Sequence, residues 1–139
     1  MGEILIDAKR ENLRKVFDFV NSEVCESVDD KSFLRQLKLC VEEAYLNIAE
    51  HAYTPETGSV RILAEVRRDA EGIKVILSFS DRGRPYDPLK TDLPDVGAGI
   101  GSREPGGLGI LLIKHTADGV DYEYKNGENV LTIEKRYTA

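Results

Sequence analysis

The sequence predicts an α+β fold, a two-layer sandwich in which helices cover one face of a mostly antiparallel (mixed) sheet. Three observations predict it. Leu34, Leu37, Val41, Ala44, Tyr45, Ile48 and Ala52 recur at threes and fours, the pattern of a long helix lying on a core. Residues 60–68 and 73–80 read as a hairpin with Glu71-Gly72 in its turn, and residues 120–125 and 129–136 as a second hairpin around Asn126-Gly127. At 139 residues and 15.5 kDa the chain is expected to form one domain over 1–139, long enough for one sizeable core and too short for two.

The elements follow in order. Residues 3–7 alternate as a short strand, and a helix is expected over 9–25 with Leu13, Val16, Phe17 and Val20 facing inward. Asp29 or Asp30 can cap the next helix, which carries VEEAYLNIAEHAY at 41–53. In that segment Glu43, Asn47 and His51 stand at successive steps of four. At about 100° per residue these side chains stack on one helix face, roughly 110° from the centre of the apolar stripe, so they flank the core. A carboxylate one turn from an amide suits a metal-held phosphate.

The strand IKVILSFS at 73–80 ends in Asp81-Arg82-Gly83-Arg84-Pro85, which puts a carboxylate where a strand stops and a turn begins. Four of the five prolines lie between Pro85 and Pro105, in a stretch without period, and residues 84–106 are expected to act as a lid. Residues 97–109 hold six of the 12 glycines and run into LGILLIKH, where a third helix is expected over 108–116. Glycine at this density suggests a backbone wrapped closely around a ligand.

Two familiar phosphate motifs are excluded. Gly101 and Gly106 have the spacing of a P-loop, but Gly107 and Leu108 stand where a Lys and a Ser or Thr are required. Gly97, Gly99 and Gly101 break the dinucleotide-binding spacing. What survives is a helix start at Gly106, Gly107 and Gly109, whose free amides attract anions.

Composition narrows the partners. A net charge of −6 and a pI near 5.0 leave no basic patch for direct nucleic-acid binding. The first thirty residues have no signal-peptide pattern, and no apolar run nears the ~20 residues that cross a bilayer, so a cytoplasmic protein without membrane contact is expected. Cys25 and Cys40 have no metal or redox spacing and are expected as reduced packing residues.

Glu43-x-x-x-Asn47-x-x-x-His51, then Asp81-x-Gly83 after a strand, then Gly107-Leu108-Gly109 opening a helix, resemble in order and separation the three nucleotide-binding boxes of the GHKL, or Bergerat-fold, ATPases. Within that superfamily EHAY, DRGRPYDP and GGLGILLIK are most similar to the anti-sigma-factor serine/threonine kinases of partner-switching systems. The resemblance spans residues 4–136 and implies ATP/ADP and Mg²⁺ as ligands. It implies Asn47 as metal ligand, Glu43 as the catalytic group for the attacking hydroxyl, and Asp81 as acceptor for the adenine amine, with Gly83 letting backbone approach the base. Gly106, Gly107, Leu108 and Gly109 would face the phosphates, and His51 would touch the phosphate region or only close its helix. Arg103 could reach the transferred phosphate from a lid that orders over nucleotide.

The chain also departs from the family. Leu46 stands where several relatives have a small hydroxyl residue, and Glu50 where others have a basic or neutral one. Thr132 is the nearest candidate for the hydroxyl that relatives place behind the adenine aspartate. The partners implied are a STAS-type anti-sigma-factor antagonist, as phosphoacceptor, and a sigma factor. A homodimer is implied too, and the sigma contact is expected on the first helix and the dimer seam, with Arg14 and Lys15 as exposed candidates. The alternatives are a nucleotide-gated binding module without phosphoryl transfer and a detached histidine-kinase catalytic domain.

Overall fold

The longest helix is set by its first turn: Asp30, in extended conformation, accepts the Phe33 N–H at 2.9 Å and so caps one orphan donor. The computed structural model describes residues 2–53, 58–90 and 105–138. Within them the chain runs β1 (Gly2–Asp7), α1 (Leu13–Val24), α2 (Lys31–His51), β2 (Ser59–Asp69), β3 (Gly72–Asp81), α3 (Pro105–Thr116), β4 (Gly119–Lys125) and β5 (Glu128–Tyr137). The strands form one sheet in the order β1-β2-β3-β5-β4. Every described pairing is antiparallel, so the mixed character expected of the sheet is not found among these residues.

Both hairpins form, but the turn of the first is Ala70-Glu71 rather than Glu71-Gly72, because Gly72 already pairs with Asp69 as the first residue of β3. Asn126 and Gly127 have φ of 55° and 79°, the left-handed pair that a two-residue hairpin turn requires. Gly72 has φ of 134°, and a Cβ there would run into the Tyr137 carbonyl of the neighbouring strand.

The core lies between the sheet and α2. Val75, Leu77 and Phe79 of β3 and Leu131 and Ile133 of β5 share one face and are buried, together with Val41, Ala44, Tyr45 and Ile48 of α2. Each buried Val, Leu, Ile or Phe side chain among these contributes about 1.5–3 kcal/mol. The opposite sheet face carries ion pairs such as Lys74–Glu134 at 3.5 Å and Arg61–Glu128 at 3.6 Å. Partly exposed pairs of this kind stabilise by about 1 kcal/mol at most.

The helix expected over 9–25 is in fact two pieces, a 3-10 turn at Arg10–Asn12 followed by α1. The buried Tyr45 hydroxyl donates toward the carbonyls of Asp7 (3.0 Å) and Lys9 (2.6 Å), which holds this stretch against α2 and keeps Lys9 extended. Val16, Val20 and Val24 form the inward stripe, with Leu13 and Phe17 only partly buried. Cys40 is a core residue whose thiol is pushed up to about 11 by burial, while Cys25 is exposed just after α1 and does not pack as expected.

α3 begins at Pro105, three residues earlier than expected, with proline at the first helical position, where its missing N–H costs nothing. At its other end the buried Lys135 donates from Nζ to the Thr116 carbonyl at 2.8 Å, satisfying a terminal acceptor. Of the expected lid, residues 91–104 lie outside the described residues. Its first part contains a 3-10 turn at Pro88–Lys90, and the Leu89 N–H donates to Asp87 Oδ1 at 2.9 Å. No described helix is long and apolar enough to cross a membrane.

Candidate functional site

The polar stripe of α2 lies where its phase predicts. Glu43, Asn47 and His51 are all half-buried, beside the buried Ala44 and Ile48. Asn47, His51 and Asp81 line one cavity between α2 and the ends of β3 and β5, together with Tyr86 and Asn129. Asn47 Oδ1 is buried and has no hydrogen-bond partner among the described residues. A buried, unpaired amide oxygen is destabilising by about 1–3 kcal/mol unless a ligand satisfies it. A hard oxygen donor fits Mg²⁺, which takes oxygen ligands and keeps phosphate oxygens and water in its shell.

Glu43 does not line that cavity. It stands one turn before Asn47, against the start of α3: a Cβ on Gly109 would overlap Glu43 Oε2 and come within 3.3 Å of its carboxyl carbon. Glycine at 109 thus lets α3 approach the carboxylate. Burial raises the Glu43 carboxyl above its ordinary range, and the charges of Glu42 and Glu50 add to the shift. Glu50 itself lies 3.7 Å from Arg10 on the exposed side. The first turn of α3 contains Gly106, Gly107 and Leu108, whose amides precede the intrahelical hydrogen bonding.

Asp81 ends β3 and is 5% exposed. Its Oδ1 accepts the Gly83 N–H at 2.9 Å and an Asn129 Nδ2 hydrogen at 3.0 Å. Burial nevertheless dominates and raises its carboxyl above the usual range, against those two donors. Gly83 has a duty the sequence did not reveal: a Cβ there would sit 2.7 Å from the Ala52 carbonyl carbon and 2.8 Å from the Ala52 Cβ, so glycine lets the turn close against the end of α2. The Arg84 N–H donates to that same Ala52 carbonyl at 3.3 Å.

The expectation for Thr132 is corrected. Asp81 pairs with Asn129 in the sheet, whereas Thr132 pairs with Ser78, an odd number of residues away and so on the other face. Asn129 stands behind Asp81 instead. Its signal was in the sequence, because it holds the inward phase of Leu131 and Ile133 with a polar side chain. Tyr53 was missed as well: its hydroxyl accepts the Arg82 N–H at 2.7 Å and donates to the Ser59 carbonyl at 2.7 Å, bracing the turn after β3. The His51 ring stacks with Tyr86, centroids 6.0 Å apart at 29°. The cavity, of about 30 Å³, has room for a water. Arg103 lies outside the described residues.

A helix-borne acid and amide, a buried carboxylate at a strand end and a glycine-opened helix, assembled on this sheet, define a nucleotide-binding domain of the GHKL type. The chain belongs to the family of histidine kinase-like ATPase domains, whose model matches residues 6–135. It is 33% identical over 99 residues to the serine/threonine-protein kinase BtrW of Bordetella bronchiseptica, a match covering 70% of this chain and 66% of that protein. Its fold is similar to that of a solved structure of the RsbU and RsbW domains of Rv1364c from Mycobacterium tuberculosis, with a TM-score of 0.66 and 17% identity, over 100% of this chain and 33% of that one. The chain thus matches just under two thirds of the curated relative and one third of the solved chain.

Proposed function

We propose that the chain is an ATP-dependent protein-serine/threonine kinase that phosphorylates a small STAS-type anti-sigma-factor antagonist and, in its other nucleotide state, sequesters a sigma factor. The observation that carries the nucleotide part is Asn47 Oδ1, buried and without a hydrogen-bond partner among the described residues, on the wall it shares with Asp81. The likeness to a protein named a serine/threonine kinase supports the phosphoryl acceptor, and the protein partners and a homodimeric state come from the family resemblance. Arg14 and Lys15, both exposed on α1, are the candidates for the sigma contact.

Each residue then has a task. Asp81 accepts a hydrogen bond from the adenine amine. The amides of Gly106, Gly107, Leu108 and Gly109 donate to phosphate oxygens at the positive end of α3. Asn47 holds Mg²⁺, which when bound supplies charge neutralisation on the phosphates. Glu43 takes the proton of the attacking serine hydroxyl as its oxygen bonds to the terminal phosphorus and the bond to ADP breaks. A carboxylate raised by burial is a better base for that proton than an ordinary one.

The test is transfer of label from terminally labelled ATP to a STAS-type antagonist. Acid-stable label is expected on a serine or threonine, and Glu43→Gln should lower its rate by about 10²-fold or more while still binding nucleotide. Tight nucleotide binding without a labelled partner would favour the nucleotide-gated binding module. Acid-labile label would point to a detached histidine-kinase domain.

A further inference from the structure

Asn129 is 6% exposed, and every hydrogen-bonding capacity of its amide is engaged. Nδ2 donates to Asp81 Oδ1 and to the Arg84 carbonyl, each at 3.0 Å, with the Gly83 carbonyl at 3.4 Å sharing a hydrogen. Oδ1 accepts the Tyr86 N–H at 3.1 Å and the Tyr122 hydroxyl. Exchanging the amide nitrogen and oxygen would set a donor against the Tyr86 N–H, so only one orientation satisfies the network. Asp81 Oδ1 in turn takes two donors, from Asn129 and Gly83. Its second oxygen is the one available to a ligand.

We propose that Asn129, steadied by Tyr122, is the positioning residue for purine reading: it holds Asp81 in one rotamer as a pure acceptor and ties that carboxylate to the Tyr86 backbone beside the cavity. This rests on the nucleotide reading of the site. Asn129 itself need not touch the purine. A carboxylate pinned as acceptor pairs with an exocyclic amine at the purine 6-position and repels a carbonyl there, so Asn129 acts on selectivity through Asp81. The same amide sets the backbone on which the Tyr86 ring is carried, and that ring stacks on His51 across the cavity.

The test compares dissociation constants for ATP and for purine riboside triphosphate, which lacks the amine, in the parent, Asp81→Asn, Asn129→Leu and Tyr122→Phe. The parent should prefer ATP by about 10- to 100-fold. Asn129→Leu should bring that ratio to within about 3-fold of unity by weakening ATP more than the amine-free ligand. Tyr122→Phe should shrink the ratio a few-fold. A purely structural role would weaken both ligands equally, and that result, or a parental ratio in folded Asn129→Leu, overturns the proposal. Should Asn129→Leu not fold, an unchanged ratio in Tyr122→Phe overturns it instead. A parent without preference, matched by Asp81→Asn, overturns the adenine-reading role of Asp81 on which the proposal stands. A parent that prefers ATP through Asp81 but not through Asn129 leaves that role intact and removes only this proposal.

Discussion

Gly109→Ala separates catalysis from folding. The added methyl would overlap Glu43 Oε2, whereas ordinary contact begins at 3.4 Å, and the atom in its way is the far end of a flexible side chain. Glu43 can therefore swing aside while α3 stays in place, displacing its carboxylate by up to about 1 Å, enough to lower a rate by about 100-fold. That factor corresponds to about 2.7 kcal/mol of lost transition-state stabilisation. Alanine meanwhile favours a helix interior over glycine by about 0.5–1 kcal/mol. The expected variant thus keeps or raises its thermal midpoint, by up to about 4 °C, while phosphoryl transfer collapses. Paired measurements of single-turnover transfer and thermal unfolding decide it. A folded variant transferring within a few-fold of the parent would refute the placement of Glu43 against α3, and a rate loss matched by lost stability would refute the mechanism.

Three further outcomes are expected. Gly83→Ala meets the Ala52 backbone rather than a flexible tip, so urea unfolding should show about 1–3 kcal/mol of destabilisation, and an unchanged midpoint would contradict the close approach. Glu50→Gln removes one of the charges raising Glu43; since Glu43 must be ionised to take a proton, the acid limb of the transfer profile should move to lower pH, and an unmoved limb assigns it to another group. Asp81 has a folded-state pKa above its unfolded one, so the fold loses stability as pH rises from the unfolded value through the raised one. Asp81→Asn escapes that loss and keeps an acceptor for Gly83 and Asn129, so its thermal midpoint at neutral pH should equal or exceed the parent's, the gap closing in acid; a lower midpoint at neutral pH speaks against this.

Local periodicity made α2, both hairpins and the phase of Glu43, Asn47 and His51 legible, because each is a relation between residues a few steps apart. The break at Arg10–Asn12 was not legible, since its cause is the Tyr45 hydroxyl from a distant helix. The inward phase of Asn129 was legible, but its pairing with Asp81 was not, because the two meet only through the register of strands separated by α3. Thr132 was assigned by chemical type, and counting by twos from Asn129 through Leu131 and Ile133 would have put it on the other face. The glycines at 83 and 109 were legible as glycines, but what each one touches depends on how α2 meets the turn after β3 and the start of α3.

The central claim is that α2 and β3 enclose a site for magnesium-bound ATP, with Asn47 giving its unpaired oxygen to the metal. Calorimetric titration of ATP in Mg²⁺ and in chelator, on the parent and on Asn47→Ala, tests it most directly. The parent should bind at least about 10-fold more tightly with Mg²⁺, and Asn47→Ala should bind equally in both buffers. A variant that keeps the full magnesium dependence of the parent would contradict the claim.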